Sequence, residues 1–509
     1  MIHSIKKFHS IIMKKLVLLS CVFYFMITSI YAQHNNNEPY RPVFHFTPKS
    51  GWMNDPNGMV YYNGIYHLFF QYNPDSTVWG PMHWGHAVSK DLVHWKELPI
   101  ALYPDSLGTI FSGSAVIDVN NTAGFGSDAM VAIFTQHNPE LEKNGSDKFQ
   151  NQSIAFSLNG GKSWTKYKGN PVIKNPGIRD FRDPKVSWYA PAKKWIMTLA
   201  TLDHITFYAS TDLKHWQKES TFGKGSGAHG GVWECPDLFP LTYKGRQVWV
   251  LIVNVNPGGP NGGSATQYFT GTFDGHQFKA DDLQTKWLDY GPDEYAGVTW
   301  SNTGEKKLFI GWMSNWEYAQ VVPTKSWRSA TTTPRELSLE RIDNQYLIAS
   351  KPVKTIDDLK GQTKILTNLV VNGSLDLTQS AKMDKGIFQF DLKAIKPADF
   401  AIELSNDQGD MVAIGYDKSR NVYYIDRTQS GLTAFSKNFA GKHTAPRFAK
   451  NDIINLKLLV DKASVELFAD DGLTTMTSII FPHAPLNKIK INTTQKNLAI
   501  KKVKLKRLE

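Results

Sequence analysis

The stretch SKDLVHW at Ser89–Trp95 returns as STDLKHW at Ser210–Trp216, and this repetition decides the fold. Looser copies occur at Ser157–Trp164 and at Phe273–Phe278. The copies are roughly 50 to 70 residues apart, which is longer than the repeat of helical solenoids and typical of units that are multi-stranded sheets. The sequence therefore predicts a chain of repeated sheets.

The residues between these copies form short β-rich runs such as Gly64–Phe70, Trp195–Ala200 and Val248–Val253. Gly, Asn and Pro separate the runs, as expected for strands joined by turns. The four copies and a closing unit around Lys307–Trp312 give five sheets. Radial repetition is one way in which all-β chains avoid exposed edges, so we expect a five-bladed β-propeller.

The last third of the chain has a different composition. All 15 tryptophans lie between Trp52 and Trp327. Later runs such as Ile387–Leu392 and Ile454–Val460 alternate apolar with polar residues, which is typical of a β-sandwich. The prediction is an all-β chain with a propeller at 33–350, a linker at 351–364 and a C-terminal sandwich at 365–509.

The N-terminal 32 residues resemble a secretory signal peptide. Four lysines precede an apolar run that ends at Ala32, and this segment contains no acid. We therefore expect export to the periplasm, the cell surface or the medium, with no transmembrane segment in the mature chain. Lipoprotein anchoring at Cys21 is a weaker alternative, because only five residues separate Lys15 from Cys21.

The formal charge of +11 does not indicate a nucleic-acid partner. Four positive charges leave with the signal peptide, and eight of the remaining Lys and Arg residues lie in the last 22 residues. Lysines alternate with apolar residues in Lys502–Lys506, as on the solvent-facing side of a strand. The mature chain keeps only Cys235, and His83, His86 and His94 show no ligand spacing, so no metal or cofactor is predicted.

Three acids share one local setting: Asp55 in WMNDPNG, Asp183 in RDP and Glu234 in WECP. They occur near the start of the first, third and fourth units, so a propeller would bring them to one mouth of its channel. Asp55 and Asp183 precede proline, which predicts extended backbone at both. DPNG is also an ordinary turn sequence. Carboxylates beside aromatic residues indicate acid–base and nucleophilic chemistry on a neutral polyol.

Six segments, taken in order, resemble the motif set of glycoside hydrolase family 32. They are Trp52–Gly58, Phe111–Ser114, Arg182–Pro184, Glu234–Pro236, Gly311–Trp316 and Pro334–Leu337. This resemblance covers nearly all of the mature chain. It implies a propeller followed by a sandwich, and an enzyme that releases fructose from β-fructofuranosides such as levan, inulin or sucrose.

The resemblance also implies roles for individual residues. Asp55 matches the nucleophile, Glu234 the general acid/base, and Asp183 the residue that stabilises the transition state through fructose hydroxyls. The positions that match the pocket for the terminal fructose are Asn54, Gln71, Trp79, Phe111, Ser112 and Arg182. The aromatic wall is Trp312 or Trp316. The family usually has Trp where this chain has Phe111, which makes the stacking surface smaller.

A retaining mechanism requires Asp55 to be ionised and Glu234 to carry a proton, with the two carboxyl groups about 5–5.5 Å apart. A fructosyl transferase would share these residues, and a non-catalytic fructan-binding protein would be expected to have lost at least one of them. The set of residues around one fructose favours exo action, while β-2,6 and β-2,1 linkages stay equally open. Cys235 is interpreted as a packing residue, and Glu466 as a solvent-facing or structurally paired acid.

Overall fold

The computed structural model describes residues 38–396 and 398–508, and the strands of this part form seven sheets. The predicted signal peptide and Cys21 lie outside the described residues. Across the described ranges, no helix is both long and apolar enough to cross a membrane.

Five sheets built from residues 51–352 confirm the predicted five-bladed propeller. Blade 1 contains β1 (Gly51–Tyr62), β2 (Ile65–Asn73), β3 (His83–Ser89) and β4 (Trp95–Leu102). Blade 2 contains β5 (Thr109–Asp118), β6 (Ala129–His137), β7 (Gln150–Ser157) and β8 (Thr165–Lys166). Blade 3 contains β9 (Phe181–Tyr189), β10 (Lys194–Thr201), β11 (His204–Ser210) and β12 (Gln217–Phe222).

Blades 4 and 5 carry additional short strands. Blade 4 contains β13 (Val232–Tyr243), β14 (Arg246–Asn256), β15 (Ala265–Phe273), β16 (Phe278–Ala280) and β17 (Lys286–Trp287). A two-residue strand, β20 (Trp327–Arg328), joins blade 1 in parallel with β1. Blade 5 contains β18 (Tyr295–Thr299), β19 (Lys307–Met313), β21 (Ala330–Thr331), β22 (Arg335–Ile342) and β23 (Gln345–Pro352).

The first strand of each blade lies at the centre of the propeller. β1, β5, β9, β13 and β18 contact one another in that order, and β18 closes the ring by contacting β1. Side chains from all five blades can therefore meet at one end of the ring.

The repeated SKDLVHW stretch is the turn between the third and fourth strands of a blade. In blade 1, Asp91 Oδ1 accepts hydrogen bonds from the backbone N–H groups of Val93 and His94 at 3.0 and 2.8 Å. Leu92 has a φ of 70°, and the Trp95 indole donates to its carbonyl oxygen at 3.1 Å. The same bonds recur in the copy in blade 3. The repetition exists because Asp and Trp side chains stabilise a left-handed turn.

Residues 363–507 form the predicted sandwich of two six-stranded antiparallel sheets. Its strands are β24 (Thr363–Val371), β25 (Ser374–Asp376), β26 (Phe388–Ile395), β27 (Phe400–Ser405), β28 (Met411–Asp417), β29 (Val422–Gln429), β30 (Lys442–Pro446), β31 (Ile453–Asp461), β32 (Ser464–Ala469), β33 (Thr474–Ile479), β34 (Lys488–Asn492) and β35 (Leu498–Arg507). The sheet orders are β24-β35-β26-β31-β32-β33 and β25-β34-β27-β28-β29-β30. Alternate residues of both sheets build one apolar core between them.

Helical structure is sparse. The short helices are α1 (Pro139–Lys143), α2 (Lys354–Asp357) and α3 (Thr378–Ala381), with single 3₁₀ turns at Ala190–Ala192, Ala319–Val321 and Asp470–Gly472. Of these elements, α1 and the 3₁₀ turn at Ala319–Val321 contribute residues to the candidate active site described below.

A buried ionic network joins the sandwich to the propeller. Arg335 of blade 5 donates to Asp289 Oδ2 at 2.9 Å and to Glu466 Oε1 at 2.8 Å. His45 lies between Asp461 and Glu466, with a ring nitrogen 2.9 Å from an oxygen of each. All five side chains are fully excluded from solvent or nearly so. Glu466 is thus structurally paired, and the alternative that it faces solvent is wrong because the outer face of β32 packs against the propeller.

We expect His45 to make the stability of the chain depend on pH. Burial opposes its positive charge, but hydrogen bonds to Asp461 and Glu466 outweigh burial and raise the pKa from 6.5 to about 9. Protonated His45 therefore stabilises the folded chain by roughly 3 kcal/mol below pH 6.5, and this contribution is lost as the pH rises through 9. The free energy of unfolding, measured with urea, should fall between pH 6 and pH 10. In His45→Gln this fall should be smaller. Parallel curves for the two proteins would contradict the assignment.

Candidate active site

Each of the five inner strands carries a β-bulge at the same level of the ring. The bulge sets two residues opposite one residue of the neighbouring strand, and the pairs are Asn54–Asp55, Phe111–Ser112, Asp183–Pro184, Cys235–Pro236 and Ala296–Gly297. A bulge interrupts the hydrogen-bond ladder and redirects side chains. Proline fits there because it has no N–H to donate. The acid-before-proline setting in the sequence therefore marks the bulges of blades 1 and 3.

The backbone at these bulges differs in part from the expectation. Asp183 has a φ of 64°, Cys235 of 41° and Ala296 of 53°. The prediction of extended backbone is therefore wrong for Asp183. Left-handed conformations in residues other than glycine store strain, which the surrounding structure must hold in place. Here the closed ring of inner strands supplies that constraint.

The bulges of blades 1, 2 and 3 border a cavity of about 390 Å³ at one end of the ring. All three predicted catalytic acids and all but one of the predicted binding residues line it. These are Asn54, Asp55, Gln71, Trp79, Phe111, Ser112, Arg182, Asp183, Glu234 and Trp316. The side chains to which the resemblance assigned roles thus meet in one pocket, with the exception of Trp312.

Trp312 is the exception, because it is fully buried behind the pocket wall. Its indole donates to the Met53 carbonyl oxygen at 3.1 Å, and its ring centroid lies 4.9 Å from that of Trp316. The aromatic wall is therefore Trp316, and Trp312 supports it from behind.

Asp55 is held by hydrogen bonds to both oxygens of its carboxylate. Ser112 Oγ donates to Oδ2 at 2.7 Å, and Asn54 Nδ2 donates to Oδ1 at 2.9 Å. Trp52 Nε1 donates to Asn54 Oδ1 at 2.7 Å, which fixes the orientation of that amide. Burial and the charge of Glu234 raise the pKa of Asp55, and the two hydrogen bonds oppose this rise. The bonds thus favour the ionised form that a nucleophile needs.

Asp183 lies within the same group of charges. Its Oδ2 accepts from the Cys235 backbone N–H at 3.0 Å, and the Cys235 thiol lies 3.6 Å from Asp183 Oδ2 and 3.5 Å from Asp55 Oδ2. Burial raises the pKa of Asp183 to about 7, with Arg182 opposing the rise and Glu234 and Asp55 adding to it. Burial and the neighbouring carboxyl groups therefore favour the protonated form of Asp183. The thiol is buried as predicted, but its position between two acids was not foreseen.

Both oxygens of Glu234 accept hydrogen bonds. Arg182 Nε donates to Oε1 at 3.0 Å, and the hydroxyl of Tyr295 donates to Oε2. Arg182 also donates to Asp180 Oδ1 at 2.5 Å. The neighbour of Asp183 in sequence thus orients Glu234, and both side chains line the pocket because the bulge at Asp183–Pro184 interrupts the alternation along β9.

Several residues that line the pocket were missed by sequence reasoning. They are His137, Glu142, Phe149, Gln150, Arg179, Asp180, Val232, Asn256 and Gln320. Most of them lie at strand ends or between strands, where no repeated pattern points to the pocket. The one local signal was Asn138-Pro139-Glu140, which is typical of a helix start.

Within residues 38–396 and 398–508, no group of three or more His, Cys, Asp or Glu side chains is arranged to hold a metal ion.

A propeller that brings three carboxyl groups together beside an aromatic wall defines a hydrolase of glycosides. The family model described as glycosyl hydrolases family 32 N-terminal domain matches residues 45–352, and the one described as glycosyl hydrolases family 32 C terminal matches residues 355–507. The chain belongs to glycoside hydrolase family 32. The resemblance noted in the sequence is confirmed, and the chain is a glycoside hydrolase.

Named relatives are similar over most of the chain. A levanase of Bacillus subtilis is 46% identical, and the match covers 92% of this chain and 71% of the relative. Invertase 1 of Saccharomyces cerevisiae is 37% identical over 88% of this chain and 90% of the relative. The crystal structure of exo-inulinase from Aspergillus awamori matches with a TM-score of 0.85 and 36% identity, covering 93% of this chain and 99% of that one.

Proposed function

We propose that Asp55, Asp183 and Glu234 catalyse the exo-hydrolysis of β-fructofuranosides with retention of configuration. The chain is a fructosidase of family 32, and its relatives are named levanase, exo-inulinase and invertase. Levan, inulin and sucrose are therefore its candidate substrates. The observation that carries the proposal is the meeting of the three acids in one pocket, with Asp55 and Asp183 in bulges of their inner strands and Glu234 directly before one.

In the proposed reaction, Asp55 attacks the anomeric carbon of the terminal fructose while Glu234 gives its proton to the leaving oxygen. A covalent fructosyl–Asp55 ester forms, and the leaving group departs as an alcohol. Glu234 then takes a proton from water, which attacks the ester and releases fructose. Arg182 and Tyr295 hold Glu234 in position throughout. Asp183 binds fructose hydroxyls, and these bonds strengthen in the transition state.

Exo action is supported by the form of the site, which is a pocket with its catalytic acids at the buried end. Hydrolysis fits the named relatives better than transfer or non-catalytic binding does. We also infer that residues 33–350 are the catalytic domain, that residues 351–364 link it to the sandwich at 365–509, and that residues 1–32 direct export. A relative named as an extracellular exo-inulinase supports the last point.

The proposal is tested by the products released from levan, inulin and sucrose by the purified protein. We expect free fructose as the first product of each substrate that is cleaved. NMR recorded before mutarotation should show β-fructofuranose first, because two displacements retain configuration. Initial α-fructofuranose would exclude the covalent intermediate, early oligosaccharides would exclude exo action, and fructose transferred mainly to other sugars would favour a transferase.

A further inference from the structure

The outer part of the pocket carries an ionic cluster that the reaction above does not use. Glu142 lies on α1, His137 ends β6, and Arg179 precedes β9. Glu142 Oε2 lies 3.0 Å from His137 Nε2, and Glu142 Oε1 accepts from Arg179 Nη2 at 3.2 Å. All three side chains line the same cavity as the catalytic acids.

Hydrogen bonds behind this cluster determine which nitrogen of His137 carries the proton. The Phe181 backbone N–H donates to Gln150 Oε1 at 2.8 Å, so the amide nitrogen of Gln150 faces His137 Nδ1 at 3.4 Å. That nitrogen can only donate, so Nδ1 accepts and the proton is on Nε2. His137 therefore donates to Glu142. Each carboxylate oxygen of Glu142 has one protein donor and retains a lone pair that can accept from a ligand.

The cluster is held in a fixed position. Asn138 caps α1, because its Oδ1 accepts from the backbone N–H groups of Glu140 and Leu141 at 3.1 and 3.0 Å. The His137 ring stacks on Phe111 with centroids 4.3 Å apart. Phe111 in turn lies beside the bulge residue Ser112, which contacts Asp55. The position of the cluster is therefore tied to that of the catalytic centre.

Solvent exposure increases from the catalytic acids to this cluster. Asp183 is buried, whereas the side chains of Glu234, Glu142 and Arg179 are 19%, 36% and 55% exposed. The terminal fructose must reach Asp55 at the buried end, and Glu234 must contact the oxygen that leaves. Whatever is attached to that oxygen consequently extends toward the exposed part of the pocket, whose lining includes Glu142 and Arg179.

We propose that Glu142 and Arg179 bind the sugar of the leaving group, with Glu142 accepting hydrogen bonds from its hydroxyls and Arg179 donating to its oxygens. This inference rests on the proposed function. It assigns to the cluster the recognition of a second sugar ring beyond the scissile bond. The chemical class recognised is a neutral polyhydroxylated ring, because paired acceptors and donors match vicinal hydroxyl groups.

The test compares two β-fructofuranosides that differ only in the leaving group, namely sucrose and methyl β-fructofuranoside. In Glu142→Gln, the ratio of kcat/KM for sucrose to kcat/KM for the methyl compound should fall roughly tenfold, since a charge-assisted acceptor is lost for the sugar alone. Arg179→Gln should shift the ratio in the same direction. Glu140→Gln is the matched control on the same helix, and it should leave both rates unchanged because Glu140 is exposed and does not line the pocket.

An unchanged ratio in Glu142→Gln would overturn the inference. An equal fall for both substrates would also overturn it, since the cluster would then only maintain the shape of the pocket. If the unmodified protein released fructose from neither compound, the proposed function itself would fail. Activity of the unmodified protein on both compounds, with no change of ratio in the variants, would reject this inference alone.

Discussion

Asp55→Asn is expected to lower kcat by roughly four orders of magnitude or more on every substrate that the chain cleaves. An amide is a poor nucleophile, so the fructosyl ester cannot form at a useful rate. The measurement is fructose release from sucrose under saturating conditions. Asp343→Asn is the matched control, because Asp343 is highly exposed and forms a surface ion pair with Lys450.

The loss in Asp55→Asn should not come from unfolding. An asparagine at this position has the same shape, and its carbonyl oxygen can accept from Asn54 Nδ2 while its amide donates to the hydroxyl of Ser112, which can also accept. Because burial raises the pKa of Asp55, the native carboxylate is destabilising at neutral pH. The melting temperature of the variant should therefore equal or exceed that of the unmodified chain. More than a tenth of the original kcat in a well-folded variant would show that Asp55 is not the nucleophile.

The propeller could be predicted because one turn repeats. Asp91 and Trp95 stabilise the turn after the third strand of blade 1 through local hydrogen bonds, and the same residue types recur in the equivalent turn of blade 3. The bulges leave a weaker trace, which is the acid-before-proline setting in blades 1 and 3. The rule for residues before proline predicts extended backbone, and only closure of the inner ring accounts for the left-handed Asp183.

The candidate site divides in the same way. Its buried half contains inner-strand residues from motifs that are continuous in sequence, so the resemblance to family 32 could assign them one by one. The outer half combines Glu142 and Arg179, whose neighbours are set by tertiary packing. Trp312 and Trp316 could not be distinguished from sequence, since the strand ends at Met313 between them. The period-two pattern around Glu466 is typical of a strand with one face in solvent, yet both faces of β32 are buried.

Glu234→Gln is expected to lower kcat on sucrose by ~10²–10⁴-fold, which is the contribution of general acid–base catalysis. The fold should persist, because the amide oxygen can accept from Arg182 and the amide nitrogen can donate to the Tyr295 hydroxyl. The size of the loss should depend on the leaving group. With 4-nitrophenyl β-fructofuranoside, the nitrophenolate leaves without being protonated. Formation of the fructosyl ester in Glu234→Gln should therefore keep most of the rate that it has in the unmodified protein.

Azide distinguishes the role of Glu234 from that of Asp55. In Glu234→Gln, azide needs no base to attack the fructosyl–Asp55 ester, so it should accelerate turnover of the nitrophenyl substrate and give β-fructosyl azide. The same addition to Asp55→Asn should give no β-azide, because no ester forms. If azide failed to accelerate Glu234→Gln, or if the variant lost equal activity on sucrose and on the nitrophenyl substrate, Glu234 would not be the acid/base. Acceleration by azide with β-fructosyl azide as the product, by contrast, requires both the covalent ester on Asp55 and the absence of a base at position 234. This single result therefore tests both assignments.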